Sequence, residues 1–296
     1  MWWEGEYCYR FNGKELMEDI GLYDYGARYY DPAVARWTSI DPLASSYAPY
    51  SPYNYVLGNP ISFIDPDGRS VSGIIKDENG KVLGSDGKVG SDGKDDGKVY
   101  VVNTQTSDFN GVPGAGLSKA RAKEIKKFVK ANSGNAAAFE GSDIYNDITE
   151  VEGGEATRGA MVDAVSGDNG NGGTSPENNR EYGGSVMPDG SVVPGEPGPV
   201  TTPQEGATFD GYTPGDKTRF HSHPSGTSSS STPSDGMGSG STTGTTTITP
   251  YRQPPSRRDV SNAGNQVRYV FGKGGGRVYI YNNQGVQATL PIRKFK

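Results

Sequence analysis

Two histidines, His221 and His223, are the residues of this chain whose types and spacing could do chemistry. They are the only histidines among 296 residues, and they lie two positions apart. In an extended strand, side chains two apart project from the same face, so both imidazoles would point into one site. Pro224 follows at once and should end the strand, because proline lacks a backbone N–H. Since neutral imidazole is the commonest metal ligand of proteins, the pair predicts half of a metal site.

A carboxylate is the expected third ligand of such a site. Asp259 lies in the run PSRRDV, which is the only clear helix start in the last part of the chain. Two histidines and one carboxylate, with a fourth position left for water, are typical of a catalytic rather than a structural zinc site. Two alternatives stay open. Ser256 and Asp259 also have the spacing of a capping box, and the histidines could be two surface residues of a polar loop.

The segment 178–296 must position these residues, and its pattern predicts an α+β domain. Short runs of alternating β-branched and aromatic residues predict a mostly antiparallel sheet, with at least one packed helix that begins near Ser256. The predicted strands are 181–187, 191–193, 218–221, 267–271, 277–281 and 286–290. The Ser/Thr/Gly-rich run 226–254 is expected to be a flexible insert.

The segment 70–177 is predicted to be a linker that carries short strands and helices. The expected elements are strands at 74–76 and 98–102 and helices at 119–131 and 155–165. Ser118 is a suitable N-cap for the first of these helices. The Gly/Asn-rich run 167–173 is expected to be mobile.

The composition limits what the chain can be. Glycine accounts for 44 residues and hydrophobic residues for 32%, so we expect two compact parts joined by disordered loops. A net charge of -6 disfavours nucleic-acid binding, which usually needs a basic face. Cys8, the single cysteine, excludes an internal disulfide and a cysteine-based zinc site. No apolar run approaches about 18 residues, so no membrane span is expected, and the first residues do not form a signal peptide.

Residues 1–69 form an aromatic segment punctuated by turns. Ten of the 18 tyrosines lie here. The pattern predicts a small β-rich segment, with a strand at 7–11, an Asn12-Gly13 turn and one continuous strand at 22–30.

Four motifs of this segment occur in an order that resembles the Rhs repeat-associated core: YRFNGKEL, GLYDYGARYYDP, RWTSIDPLA and SPYNYVLGNPISFIDPDGR. In the family, that core closes the YD-repeat cocoon of bacterial Rhs polymorphic toxins. The resemblance covers about residues 7–69 and implies that a variable toxin domain follows. It also implies an Rhs cocoon in a larger parent chain, export by bacteria as part of that chain, and a cognate immunity protein as a partner.

Family members often cut themselves after the core with aspartates of paired Asp-Pro motifs, and Asp41 and Asp65 occupy the matching positions. The first motif here reads Asp-Pro-Leu-Ala, and Arg69 follows the second motif where an apolar residue is common. Self-cleavage after Gly68 is therefore not the favoured interpretation, and we expect plain turn chemistry of both aspartates.

A second resemblance lies in the segment 178–296. The runs EYGG, FHSHPSG and PSRRDV, in this order, resemble the JAMM/MPN (JAB) metallopeptidase family. The resemblance implies zinc as the cofactor and a peptide or isopeptide amide in a protein or peptide as the substrate. The matched residues are the zinc ligands His221, His223 and Asp259, the upstream acid Glu181, and Ser256 as the serine beside the reaction centre. Glu177 is a nearby rival for the role of the acid.

One spacing departs from the family pattern, because the long run 224–255 separates the second histidine from the serine. Asp235 lies near the usual spacing and competes as the third ligand. Asp259 is preferred, because Val260 and Ala263 behind it can pack as a helix, whereas Met-Gly-Ser-Gly follows Asp235. A long loop does not forbid the site, since closure entropy grows slowly with length.

The implied mechanism is hydrolysis by an activated water. Zinc would acidify the water, Glu181 would take its proton and pass it to the leaving amine, and Ser256 would donate a hydrogen bond to the oxyanion. A second class stays open: a non-catalytic, degenerate toxin tip or binding module of an Rhs-family surface protein. A nuclease is a third option that the acidic balance disfavours.

Overall fold

The computed structural model describes residues 11–41, 51–58, 60, 65, 68, 73–88, 97–105, 108–109, 111–232 and 245–295. Within these residues the expected α+β class is confirmed, with strands in four sheets and four α-helices. The chain divides into two compact units, one of Met1–Thr104 with Leu117–Gly154 and one of Gln105–Gly116 with Glu155–Lys296. The segment boundaries at 69 and 177 stay predictions. The unit that carries the histidines also takes in residues 155–177.

The first sheet of the first unit is a small antiparallel meander. Its strands, in spatial order, are β1 (Glu15–Met17), β2 (Leu22–Asp24), β3 (Tyr29–Asp31) and β4 (Arg36–Trp37). The single strand predicted at 22–30 is wrong, because the chain reverses at Gly26, whose φ of 94° suits glycine, and β2 pairs with β3. The strand predicted at 7–11 lies almost wholly outside the described residues.

Aromatic rings fill the interior of this meander. The rings of Tyr30 and Tyr55 have centroids 4.3 Å apart, and those of Tyr25 and Trp37 stand edge to face at 5.0 Å. All four side chains are buried. Three of the tyrosines that crowd this segment of the sequence, Tyr25, Tyr30 and Tyr55, therefore cover one another, which compensates for the shortness of the strands.

A buried cation joins the two aspartates of the Asp-Pro motifs. The guanidinium of Arg28 lies 3.0 Å from the Asp41 carboxylate and 3.1 Å from that of Asp65, and it stacks at 4.1 Å over the ring of Trp37. Asp65 also accepts a hydrogen bond of 2.7 Å from the backbone N–H of Gly68, which is the expected turn chemistry. Both aspartates therefore compensate a buried charge, and Asp65 also shapes a turn.

Replacing Arg28 with methionine should destabilise the first unit by about 3–5 kcal/mol, because the two buried carboxylates lose the cation they share. Hydrogen exchange of the backbone amides in residues 22–37, together with urea unfolding, would measure the loss. The control is Arg36→Met on the exposed side of β4, which should change the free energy of unfolding by less than about 0.5 kcal/mol. An equal effect of the two substitutions would contradict the role of the buried cation.

The second sheet of the first unit packs against two helices. Its strands are β5 (Ile74–Asp77), β6 (Val82–Ser85), β7 (Val99–Val102) and β8 (Thr149–Val151), in the order β6-β5-β7-β8. The helices are α1 (Lys119–Asn132) and α2 (Ala136–Glu140). The helix predicted at 119–131 is confirmed, and Ser118 caps it by accepting a hydrogen bond from the N–H of Arg121. Ile125, Val129 and Phe139 close the core over Ile75.

The second unit is built on a six-stranded sheet. The elements of this unit, in chain order, are α3 (Glu155–Ala164), β9 (Gly183–Val186), β10 (Val192–Pro194), β11 (Thr218–His223), β12 (Thr227–Thr232), β13 (Thr245–Pro250), α4 (Arg257–Ala263), β14 (Arg268–Gly272), β15 (Arg277–Asn282) and β16 (Gly285–Pro291). The spatial order of the sheet is β10-β9-β11-β14-β15-β16, and every pairing is antiparallel except that of β11 with β14. The mostly antiparallel sheet is therefore confirmed, with its histidine strand in the middle.

Two further stretches belong to this unit. Described residues of the segment 105–116 pack on the sheet, where Val112 joins a core of Val270, Tyr281 and Val286. The insert predicted to be flexible at 226–254 forms a hairpin at its two ends, because β12 and β13 pair from Thr227↔Pro250 onward and threonine favours extended backbone. Residues 233–244 between these strands, including Asp235, lie outside the described residues. None of the described helices is long and apolar enough to span a membrane.

Candidate metal centre

The two histidines occupy one face of β11, as their spacing predicts. Phe220↔Tyr269 and His221↔Val270 set the parallel register with β14, and His221↔Gly183 sets the antiparallel register with β9. The strand ends at His223, directly before Pro224, and the imidazole centroids lie 5.3 Å apart. Both side chains are buried, so the alternative of two exposed histidines in a polar loop is wrong.

Asp259 reaches both imidazoles from the first turn of α4. Its Oδ1 lies 3.5 Å from Nε2 of His221, and its Oδ2 lies 3.5 Å from Nε2 of His223. The capping box is present too, because the N–H and the hydroxyl of Ser256 donate to Asp259 Oδ2 at 2.6 and 2.7 Å. The capping box is therefore confirmed, and it is compatible with the metal-ligand interpretation, because the cap orients the carboxylate toward the histidines.

Glu181 completes the buried group just before β9. Its Oε1 lies 3.8 Å from Nε2 of His223, and its side chain is buried. Glu181, His221 and His223 each offer one ligand atom, and these atoms lie within 4.8 Å of one another, so the three side chains could hold a metal ion. Glu177, the rival acid, lies exposed in the turn 176–179 and does not line the cleft described below.

The glycine that follows Glu181 by two positions lets β9 approach the histidine strand. A Cβ on Gly183 would lie 2.4 Å from the carbonyl oxygen of Phe220 and 2.9 Å from the Cα of His221. Contacts this short require the backbone to move, because both neighbours belong to the paired strand. Glycine at this position is therefore needed to keep the acid beside the imidazoles.

The substitution Gly183→Ala should destabilise the second unit by about 1–3 kcal/mol, as overpacking of a rigid contact does. Gly159→Ala is the matched control, because Gly159 lies inside α3 and a Cβ there meets nothing within 4 Å. The control should stabilise the unit by about 0.5–1 kcal/mol through helix propensity. Thermal unfolding of both variants beside the parent protein would measure these opposite signs.

Burial and charge separate the pKa values of the two histidines. Burial lowers the pKa of His221 to about 4, although the neighbouring Asp259 opposes the shift. Burial also lowers the pKa of His223, but its hydrogen bond with Asp259 and the charge of Glu181 outweigh that effect and raise it. His223 is therefore the more basic of the two histidines, and it lies beside the two carboxylates.

Burial and charge also separate the pKa values of the two carboxylates, Glu181 and Asp259. Burial raises the pKa of Glu181 from 4.5 to about 7 against the opposing charge of His223, and repulsion from Asp259 and Asp210 adds to the rise. Burial raises the pKa of Asp259 as well, but its hydrogen bonds and charge interactions with the histidines leave its pKa below the usual range. One carboxylate is thus held ionised, and the other can take up and release a proton near neutral pH.

The raised pKa of Glu181 predicts a pH-dependent effect of Glu181→Gln on the metal-free protein. The folded protein holds the proton on Glu181 to about pH 7, whereas the unfolded chain releases it near 4.5. Stability from this group is therefore present below 4.5 and is lost as the pH rises through 7. Glutamine stays neutral, so the substitution should stabilise the protein by about 2 kcal/mol more at pH 8 than at pH 5. Urea unfolding with a chelator present measures it, and a pH-independent difference would contradict it.

Several residues that surround the group carry no motif in the sequence. The hydroxyl of Tyr212 lies 3.2 Å from Nδ1 of His221, on the ring nitrogen that faces away from Asp259. Asp168, expected in a mobile run, is instead buried, and its carboxylate accepts 2.6 Å hydrogen bonds from both the N–H and the hydroxyl of Ser225. This anchors the turn after His223. A buried tyrosine or aspartate has no local signature, so only the fold brings these contacts together.

The group lies in a cleft of about 510 Å³. Besides Glu181, His221, His223, Ser256 and Asp259, the cleft is lined by aromatic side chains and by arginines. The lining residues include Arg219, Arg252, Arg258, Arg268, Asp210, Tyr212 and Tyr281. A concave site with a few convergent polar groups is the usual form of a ligand-binding site.

Comparisons with known proteins relate part of the chain to toxins. It is 28% identical over 162 residues to salivary gland surface protein 1 of Aedes aegypti, which covers 55% of this chain and 4% of that protein. It is 46% identical over 61 residues to toxin subunit YenC2 of Yersinia entomophaga (21% of this chain, 6% of that protein). It is 38% identical over 66 residues to toxin protein Tse5 of Pseudomonas aeruginosa (22% of this chain, 5% of that protein).

These matches show partial homology to Rhs/YD-repeat toxins, as the first resemblance implies. The chain spans only 4% to 6% of the length of these relatives. Models of protein families give no match to the chain. Solved structures give none either.

Proposed function

We propose that the second unit is a zinc-dependent hydrolase of peptide or isopeptide amides with a JAB/JAMM-like fold, acting as the C-terminal toxin domain of an Rhs polymorphic toxin. One observation carries the proposal. The Asp259 carboxylate lies 3.5 Å from Nε2 of each buried histidine, and the acid Glu181 lies on the same side of the sheet.

The donor set fits zinc in kind and in spacing. Two imidazole nitrogens and one carboxylate oxygen are the ligands of many catalytic zinc sites. Ligand atoms about 2.1 Å from a tetrahedral ion are about 3.4 Å apart. That spacing is close to the 3.5 Å from Nε2 of His221 to Asp259 Oδ1 and from Nε2 of His223 to Asp259 Oδ2. Tyr212 bonded to Nδ1 of His221 is the kind of outer contact that orients a ligating imidazole.

The side chains around the group suit amide hydrolysis. Zinc, when bound, supplies a Lewis acid that polarises a carbonyl and acidifies a coordinated water. Glu181, buried and with a pKa near 7, would accept a proton and deliver it to the leaving amine. Ser256 lines the cleft, and its hydroxyl, which donates to Asp259 in the resting structure, would turn to donate to the oxyanion.

The first test is metal content. The purified protein should bind about one zinc ion per chain, and His223→Ala should abolish binding. Glu181→Gln should keep the ion and lower the rate of hydrolysis by about 10²- to 10⁴-fold, because it removes only the acid–base group. Metal analysis by mass spectrometry, and release of new amino groups from a mixed library of short peptides, are the measurements.

Asp259→Asn separates two possible ligand sets. It should weaken zinc binding while Glu181→Gln does not. The reverse result would show that Glu181 is the third ligand and would overturn the proposed roles. A parent protein without zinc would favour the second class, a non-catalytic toxin tip or binding module that keeps the sheet.

The toxin context adds partners to the proposal. The partial homology to Rhs/YD-repeat toxins supports a parent chain with an Rhs cocoon, export by bacteria as part of that chain, and a cognate immunity protein that binds this domain. A protein or peptide is the substrate in this proposal, and a nucleic acid is not.

A further inference from the structure

We propose that Arg268 binds a carboxylate of the substrate, so that the cleft selects peptides that carry an acidic side chain or a free C-terminus near the cleaved amide. This inference rests on the proposed hydrolase, because the bound peptide is a substrate only if the second unit cleaves it. The binding preference itself can be measured without catalysis.

Strand register places Arg268 on the face that carries the histidines. β11 and β14 are parallel, with Phe220 opposite Tyr269 and His221 opposite Val270. Arg268 precedes Val270 by two positions, so its side chain shares the face of His221. Two residues of a strand span about 6.6 Å, so Arg268 lies about one dipeptide repeat from the metal centre along the sheet. That separation suits a group on a residue adjacent to the reacting amide.

The guanidinium of Arg268 has no acidic partner among the described residues. Its Nη2 lies 3.5 Å from the amide oxygen of Gln266, and its Nε is buried without a hydrogen bond. Arg219, which also lines the cleft, differs because Asp216 pairs with its guanidinium. A half-buried cation that faces a cleft without a counter-charge gains most from an anionic ligand.

The charge around the cleft points the same way. The lining residues include four arginines, at positions 219, 252, 258 and 268, and three acids, at 181, 210 and 259. Asp216 neutralises Arg219, so the formal balance with Asp216 included is 4 − 4 = 0 before any metal ion, on a chain whose net charge is -6. The cleft is therefore less acidic than the chain as a whole, which favours anionic peptides over cationic ones.

A carboxylate is the anion that fits both the group and the proposed reaction. The planar guanidinium binds a carboxylate through two parallel hydrogen bonds, and a peptide supplies one from Asp, Glu or its C-terminus. Such a charged contact should favour the acidic peptide by about 10- to 100-fold over its neutral amide analogue.

The test uses fluorescein-labelled pentapeptides of glycine and alanine. In one series a single glutamate moves along the peptide, and in a matched series glutamine takes its place. A third pair differs only in a C-terminal carboxylate or carboxamide, which separates the two sources of the group. Fluorescence anisotropy with the chelator-treated protein should show about 10- to 100-fold tighter binding of the best acidic peptide than of its amide partner.

Substitutions assign the preference to one side chain. Arg268→Gln should abolish it, Arg268→Lys should keep part of it, and Arg268→Glu should make a lysine-containing peptide the preferred one. Arg293→Gln removes one charge from an exposed residue outside the cleft and should leave the preference unchanged. Circular dichroism of each variant identifies any that fails to fold. If Arg268→Gln fails to fold, the preference for acidic peptides is compared between Arg268→Lys and the parent protein.

The outcomes separate this inference from the hydrolase proposal. Selective binding of acidic peptides without hydrolysis or zinc supports the role of Arg268 and overturns only the hydrolase. Hydrolysis without any difference between acidic and amide peptides overturns the role of Arg268 alone. Tighter binding of a phosphoserine peptide than of its glutamate analogue would overturn the choice of a carboxylate.

Discussion

The contact on which the second unit depends is that of the Asp259 carboxylate with the two buried imidazoles. An ionised carboxylate in a buried place is costly unless cations or donors surround it, and here Ser256 supplies two hydrogen bonds while the histidines supply the rest. The N-cap of a short helix thereby points a charge at the middle strand of a sheet. A carboxylate held in this way can bind a cation, which is the basis of the proposed function.

Compensation of buried charge also organises the first unit, where it stabilises the fold. Arg28 brings together Asp41 and Asp65, which are 24 positions apart in sequence, and the stacked ring of Trp37 covers the cation. The ion pairs and the aromatic cluster hold a meander whose strands are only two or three residues long. Partial homology to Rhs/YD-repeat toxins gives this chain a setting, but the chemistry of the cleft rests on its own residues.

The proposed function of the second unit rests on groups of different electrostatic character on one face. Glu181 has a pKa raised by burial, Asp259 is held ionised, and Arg268 keeps an uncompensated charge two positions along the neighbouring strand. Each property has a different cause. Desolvation raises the pKa of Glu181, the helix cap and the imidazoles keep Asp259 ionised, and Arg268 has no acidic partner among the described residues. A candidate acid–base group, a candidate ion site and a candidate anion site therefore line the same cleft.

The sequence by itself determined the features that depend on local periodicity. These are the shared face of His221 and His223, the end of their strand at Pro224, the capped start of α4 and the mostly antiparallel sheet. Local pattern misjudged the reversal at Gly26 and did not reveal the hairpin at the ends of 226–254, because strand pairing decides both. Only the tertiary structure decided that Tyr212, Asp168 and Arg268 lie around the histidines, because burial and register act between residues that are distant in the chain and leave no trace in local spacing.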